Sequence, residues 1–471
     1  MAAQVCHDGP VVDRLTALDV SFLTLEDRHT PMHVGQVLVF SRPLGFETSG
    51  IAGRIASRLE ANPRLRQRVR SVPGRLANPV WVDDEHFDLS YHVRRSALPS
   101  PGSTEQLTEF VARVNARLLD RSRPLWEVYV VDGLAGDRFA VVTKTHQAVI
   151  DEVTALDIAG LVLDLDEQTA VPASTRPWSP RPAPGQAQLI GQAVKDALSS
   201  PANLVGTVRN GLSDLSENGR RALGVTTTLA RAWRPGPTTP LAVDPGAARR
   251  FAVVDTDLQG YREIRTRLAE SGGDVDINDI ALATITGALR GWMETRGQFV
   301  RSSTTMRAVV PVTVSHGAGL GASVQPVFIE LPIGENSPSV RLLQVAHAMR
   351  MHLSADSLSA HRIAGLSGFS APTLHSLGAR VGGALGRRLF DLAITNVPGP
   401  QRELLCGPAV LQETYPVPPL APGHALAIGL TSYHGRVFYG LFADRAAMPD
   451  LEVLADLIRD ALAELMNSAA T

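Results

Sequence analysis

Two side chains able to move or hold a proton, His146 and Asp151, stand five residues apart in the stretch FAVVTKTHQAVIDEVTALDIAGLVLDL, residues 139–165, with Gln147 directly after the histidine. An imidazole titrates close to neutral pH and can act as a general acid or base, and a carboxylate can orient it or cap a helix. The amide of Gln147 donates and accepts hydrogen bonds but has no useful basicity. For His146 the residues leave two readings open: a catalytic imidazole, or a buried one satisfied by backbone or by Asp151. For Asp151 they favour a helix cap or ion-pair partner over contact with a substrate.

The elements that must position these groups follow from periodicity. From Phe139 to His146 the residues are apolar or β-branched with a rough two-residue alternation, which predicts a strand buried on at least one face. After Asp151 the period lengthens, with Val153, Leu156, Gly160 and Leu163 three to four residues apart. That pattern predicts a helix with Asp151 at its N-cap. The candidate residues therefore sit at a strand-to-helix junction, where a rigid scaffold commonly presents side chains to a ligand.

His146 through Glu152, HQAVIDE, resembles the His-His-x-x-x-Asp-Gly signature of the bacterial wax ester synthase/diacylglycerol acyltransferase family, itself similar to the chloramphenicol acetyltransferase and condensation-domain superfamily. His146 stands at the first histidine and Asp151 at the aspartate; Gln147 replaces the second histidine and Glu152 the glycine. Further resemblances follow in the family's order: Pro31-Met32-His33, Pro124-Leu125-Trp126, Asn278-Asp279 and Asn396-Val-Pro-Gly-Pro400. The resemblance implies an α/β fold of two chloramphenicol acetyltransferase-like, CoA-dependent acyltransferase domains with mixed sheets, meeting at a channel. It also implies acyl transfer from acyl-CoA to diacylglycerol or a long-chain alcohol, with acyl-CoA as co-substrate and no resident cofactor. In the family the second histidine takes the acceptor's proton. Losing such a base costs about 10²- to 10⁴-fold in rate, roughly 3 to 5 kcal/mol, so positioning can still sustain a reaction.

Composition sets the outer limits. The 471 residues, 44% apolar and 20% charged, suit two globular domains. A net charge of −2 offers no basic field for nucleic acid. Lysine occurs only at Lys144 and Lys195, leaving 43 of the 45 basic residues as arginine. Cys6 and Cys406 form neither a disulfide framework nor a metal motif, so no metal is expected and a reducing cytoplasm is the default. The N-terminus does not read as a signal peptide, and no apolar run of about 18 residues suggests a membrane span, so contact with a membrane or lipid droplet would be peripheral.

In chain order, residues 1–170 read as the first acyltransferase-like domain, 171–249 as a proline-rich and helical linker, and 250–471 as the second domain. His33 on an early strand reads as structural. The arginines between Arg64 and Arg70 read as a solvated face, with CoA phosphate as the minor alternative. Pro79–Asp83 and Phe87–Val93 look like paired strands. The linker holds Pro172, Pro177, Pro180, Pro182 and Pro184, then a helical stretch from Gln186 to Ala232 whose basic residues offer an interfacial helix or, more simply, one packed on its own protein. Asn278 reads as the N-cap of a long helix, with Asp279 at its positive end. The glycine-rich Gly317–Ser323 lacks a P-loop ending, which rejects nucleotide hydrolysis. The departures at Gln147 and Glu152 leave one alternative to the transferase, a catalytically weakened relative that binds acyl lipids or a partner protein.

Overall fold

The alternating and apolar runs become strands in the computed structural model, which describes residues 13–150, 158–164, 178–191, 239–270, 272–315, 322–363 and 390–468. In chain order these are β1 (His33–Ser41), β2 (Gln67–Arg70), β3 (Val80–Asp83), β4 (Val93–Ala97), β5 (Trp126–Leu134), β6 (Arg138–His146), β7 (Arg249–Asp257), β8 (Met306–Ser315), β9 (Ala322–Leu331), β10 (Leu392–Pro398), β11 (Leu405–Cys406), β12 (Ala409–Val417), β13 (Leu426–Tyr433) and β14 (Arg436–Asp444).

They form two six-stranded mixed sheets and a small β2–β3 ribbon, in agreement with the expected α/β class. The first sheet runs β11-β12-β1-β6-β5-β4 and the second β7-β14-β13-β10-β8-β9. Most neighbours are antiparallel; β4–β5, β10–β13 and β8–β10 are parallel. The second sheet shares one core with the Leu258–Glu270, Ile277–Thr295, Pro338–Ile363 and Leu451–Ser468 helices, through residues such as Tyr261, Ile285, Trp292, Val345 and Ile458. The core of the first sheet is not built from its own half alone: Phe251 and Phe442 of the second half join Phe40, Val111, Trp126 and Phe139 in one cluster. Among the described residues no helix is long and apolar enough to cross a membrane.

Some local expectations change. Val80–Asp83 pairs with β2, not with the segment after it. Asp88 accepts the Ser90 amide and caps a short Leu89–His92 helix, so an extended conformation begins only at Val93, where β4 runs parallel to β5. The hairpin expected around His434-Gly435 is present as β13–β14, with both turn residues at positive φ (45° and 79°), the type I′ geometry that matches strand twist. The linker prolines before residue 178, the basic stretch after 191 and residues 316–321 of the glycine-rich segment lie outside the described residues.

One junction ties the halves together. β12 belongs by sequence to the C-terminal half, yet it pairs antiparallel with β1 in the first sheet, and the chain then returns to the second sheet as β13. At the crossing, Gly429 and Gly440 face each other in the β13–β14 register. A Cβ on Gly440 would lie 1.8 Å from the Pro416 carbonyl oxygen, and one on Gly429 would lie 2.7 Å from the Pro416 side chain. Backbone occupies the space at Gly440, so no rotamer change can relieve a methyl there. Gly440→Ala should destabilise the protein by about 3 kcal/mol or more. Denaturant unfolding monitored by tryptophan fluorescence checks this; a loss below about 1 kcal/mol would show that the sheets can separate at that point.

Candidate active site

Strand register brings the two histidines together. β1 and β6 pair antiparallel with His33 opposite His146, so both side chains leave the same face of the sheet at its end, with ring centroids 5.9 Å apart at 66°. A third group comes from the Ala17–Leu25 helix, which starts on a Thr16–Asp19 capping box and ends at Glu26, its C-cap. The helix packs against the turn after β6 and sets the Glu26 carboxylate over the two rings. Glu26 Oε1 lies 3.0 Å from His33 Nε2 and 3.5 Å from His146 Nε2, and it accepts the Met32 amide at 3.1 Å. Oε2 accepts from Arg121 Nη2 and Nε at 2.9 and 3.2 Å. Both imidazole Nε2 atoms face the oxygen, although neither meets full hydrogen-bond geometry. All three side chains are at most 1% exposed.

This burial sets the charge states. Burial alone would raise the Glu26 carboxyl, but the imidazoles of His146 and His33 outweigh it and hold the group well below the usual carboxylate range. His33 is pushed down to about 3, chiefly by burial and further by the Lys144 ammonium, against the pull of Glu26. At neutral pH the cluster therefore holds an ionised Glu26 and a neutral His33.

β6 stops at His146 because the chain turns there. The His146 amide donates to the Leu125 carbonyl, the Gln147 amide to Met32, and the Ala148 amide to His146 Nδ1, each at 3.0 Å. Gln147–Val149 is one turn of 3₁₀ helix with the His146 side chain as its N-cap. In neutral His146 this leaves the ring proton on Nε2, facing Glu26. Of the two readings open for His146, the structure places the residue fully buried, with Nδ1 accepting the Ala148 amide and Nε2 3.5 Å from Glu26 Oε1. Among the described residues the carboxylate beside the ring is Glu26. Asp151 and Glu152 lie outside the described residues. Gln147 is buried at the first position of the turn.

The neighbouring motifs turn out to be supports. Leu125 receives the His146 amide, and buried Trp126 donates Nε1–H to Leu65 while stacking on His92 at 4.5 Å. One pleat along β6, buried Lys144 sits opposite Glu127 and donates to the Val114 and Arg117 carbonyls at 3.1 and 2.5 Å, closing the end of the Thr104–Asn115 helix. Burial pulls this ammonium down to about 8. Arg64 pairs with Asp13 and lies over Trp81, Arg66 lies over Trp178, and Arg68 is 3.9 Å from Asp84, so these arginines have partners within the chain and form no open phosphate patch. Farther along the face that carries His33, Val37 and Val39 line a cleft with Leu107, Phe251, Val253 and Tyr415, where the two halves meet. Among the described residues no cluster of His, Cys, Asp and Glu could hold a metal.

In the second half the Asn278 and Asn396 motifs come together, with Asn396 Nδ2 donating to Asn278 Oδ1 at 3.1 Å. The N-cap of the Ile277–Thr295 helix is Asp276, not Asn278: its carboxylate accepts the Asp279 amide, and Asp279 reciprocates on the Asp276 amide.

Comparison with known proteins places this geometry. The family model described as the wax ester synthase/diacylglycerol acyltransferase catalytic domain matches residues 15–281, and that of the WS/DGAT C-terminal domain matches residues 320–466. A probable diacylglycerol O-acyltransferase of Mycobacterium tuberculosis, tgs3, is 44% identical over 266 residues, 55% of this chain and 97% of that protein. The solved wax ester synthase/diacylglycerol acyltransferase of Marinobacter aquaeolei superposes with a TM-score of 0.68 at 28% identity, covering 97% of this chain and 100% of that one. The first condensation domain of the calcium-dependent antibiotic synthetase shares the fold, with a TM-score of 0.55 at 16% identity over 98% of both chains.

Asp279 carries a pH signature. Burial, helped by the Asp276 charge, pushes its carboxyl up to about 6 against the hydrogen bond from the Asp276 amide. Its folded pKa thus lies above the unfolded one, so the native state binds the proton more tightly and stability falls as pH rises through that interval. Asp279→Asn keeps an oxygen for the Asp276 amide and removes the titration. Its melting temperature relative to the parent should rise between about pH 4 and about pH 7, whereas a constant difference across that range would refute the assignment.

Proposed function

Because the chain belongs to the wax ester synthase/diacylglycerol acyltransferase family, we propose that it is an acyl-CoA-dependent O-acyltransferase that esterifies diacylglycerol, or a long-chain alcohol, to give triacylglycerol or wax ester. The observation that carries this reading is the match of both the catalytic and the C-terminal family models, in order, along one chain. The acceptor oxygen attacks the thioester carbonyl carbon, the C–S bond breaks, and the proton of the hydroxyl ends on the sulfur of free CoA. Acyl-CoA is a co-substrate, and the chemistry calls for no resident cofactor. Diacylglycerol resides in membranes and lipid droplets, so the enzyme works in peripheral contact with such a surface from the cytoplasm.

The roles of the site residues follow from the turn after β6. His146 shapes the backbone at 147–149, since Nδ1 holds the Ala148 amide and Nε2 faces Glu26. Asp151 completes the motif as its acidic member. Gln147 stands where the family places its base and can hold a hydroxyl by hydrogen bonding without removing its proton. Without a side-chain base the departing thiolate takes that proton. Rate enhancement then rests on positioning and on exclusion of water.

Release of CoA from a long-chain acyl-CoA, followed with a thiol reagent, should depend on added diacylglycerol. A rate equal to the protein-free control would overturn the transferase and leave the acyl-lipid binder. Gln147→His restores an imidazole and should raise kcat by about 10²-fold or more, with a new pH limb near the imidazole pKa of about 6.5. No gain and no new limb would mean that residue 147 does not meet the hydroxyl. His146→Ala should lower the parent rate at least about tenfold, because it frees the Ala148 amide.

A further inference from the structure

We propose that Glu26 is the positioning residue of this site: its buried carboxylate keeps the proton of His146 on Nε2, which leaves Nδ1 to hold the Ala148 amide and so fixes the turn that presents residue 147. The inference rests on the acyl-transfer reading only for its effect on rate. Its effect on the ring is independent of any substrate.

The argument is one of donors and acceptors. His33 Nε2, His146 Nε2 and the Met32 amide converge on Oε1, and Arg121 points two N–H groups at Oε2. Every neighbour is a donor, and only a carboxylate offers an acceptor on both sides. A glutamine of the same shape would have to turn its NH₂ either toward Arg121 or toward the three donors at Oε1. The second arrangement sets the amide against His146 Nε2–H and favours moving the ring proton to Nδ1. A proton there opposes the Ala148 N–H, which otherwise donates to Nδ1 at 3.0 Å, and the N-cap of the turn is lost. Glu26 also reaches residue 147 through Met32, whose amide it accepts and whose carbonyl receives the Gln147 amide, so the tautomer of the His146 ring is the readout specific to the route through the imidazole. The other charged or titratable groups of the cluster are His33 opposite His146 on β1, Lys144 two residues back on β6, and Arg121.

The test uses the full-length protein with ¹⁵N-labelled histidine, the His146 ring being assigned by the signal lost in His146→Asn. In the parent, two-bond ¹⁵N–¹H correlations should show Nε2 protonated and Nδ1 not. In Glu26→Gln the ring should shift wholly or partly to the Nδ1–H form, and kcat should fall at least about tenfold while KM for acyl-CoA stays within about twofold. Glu26→Asp, which keeps the charge, should retain the Nε2–H form. A parent ring already protonated on Nδ1 would overturn the proposal without any variant, as would an unchanged tautomer in a folded Glu26→Gln. A parent that releases no CoA while the tautomer responds as stated would refute the acyl-transfer reading and leave the role of Glu26 standing.

Discussion

The pairing of β12 with β1 is the constraint on which the remaining architecture depends. β1 has β6 on one side, carrying His146, and on the other a strand from the opposite end of the chain. The first sheet cannot be completed without the other half, and its core already contains Phe251 and Phe442. The glycine pair at 429 and 440 lets the Pro416 backbone pass close enough for this exchange. Joining distant segments in one sheet costs loop-closure entropy, but once the strands are paired the sheet holds the ends of β1 and β6 in fixed register. The His33–His146 contact is a direct consequence of that register.

On this frame a carboxylate is buried where an apolar side chain would be less costly. Removing a charge from water is expensive unless it is paired and its remaining lone pairs are satisfied. Glu26 meets that condition with an amide, a guanidinium and two imidazoles. The arrangement favours one geometry for each partner, because displacing any of them exposes the charge to an unsatisfied interior. The helix that delivers Glu26 also packs on the turn at 147–149, so the carboxylate and the turn are held by the same element.

Much of the fold was legible because its signals are local. The strand ending at His146, the helix after Asp276 and the hairpin at His434-Gly435 could be read from periodicity and turn chemistry, while the two-domain fold was implied by the resemblance of the motifs to a family. What escaped were pairings between distant segments. His33 read as a lone structural histidine because nothing in a sequence tells that residues 33 and 146 are cross-strand partners. Glu26 was passed over although its only notable property, an acidic residue between an apolar helix and an apolar strand, marks a charge that needs a buried partner. The Phe87–Val93 strand failed because the cap at Asp88 outweighed its apolar residues. The N-cap of the long helix was placed two residues late, since Asp276 and Asn278 are equally good caps and only the reciprocal bond with Asp279 decides between them.

The substitution at 147 acquires its meaning from this cluster. A catalytic imidazole needs a lone pair facing substrate and a pKa near the working pH. His33 has been driven far below that range by burial, and His146 spends its lone pair on Ala148. Neither His33 nor His146 is therefore placed to serve as a general base. Glu26 stays ionised and His33 neutral throughout the range in which enzymes ordinarily work, so the surroundings of the turn keep a fixed charge pattern as pH changes. Such a site resembles a rigid mould more than a proton relay. It suits a reaction whose leaving group, a thiolate, is a good enough acceptor to collect the proton itself, and it concentrates the protein's contribution in holding a thioester and a hydroxyl at reacting distance.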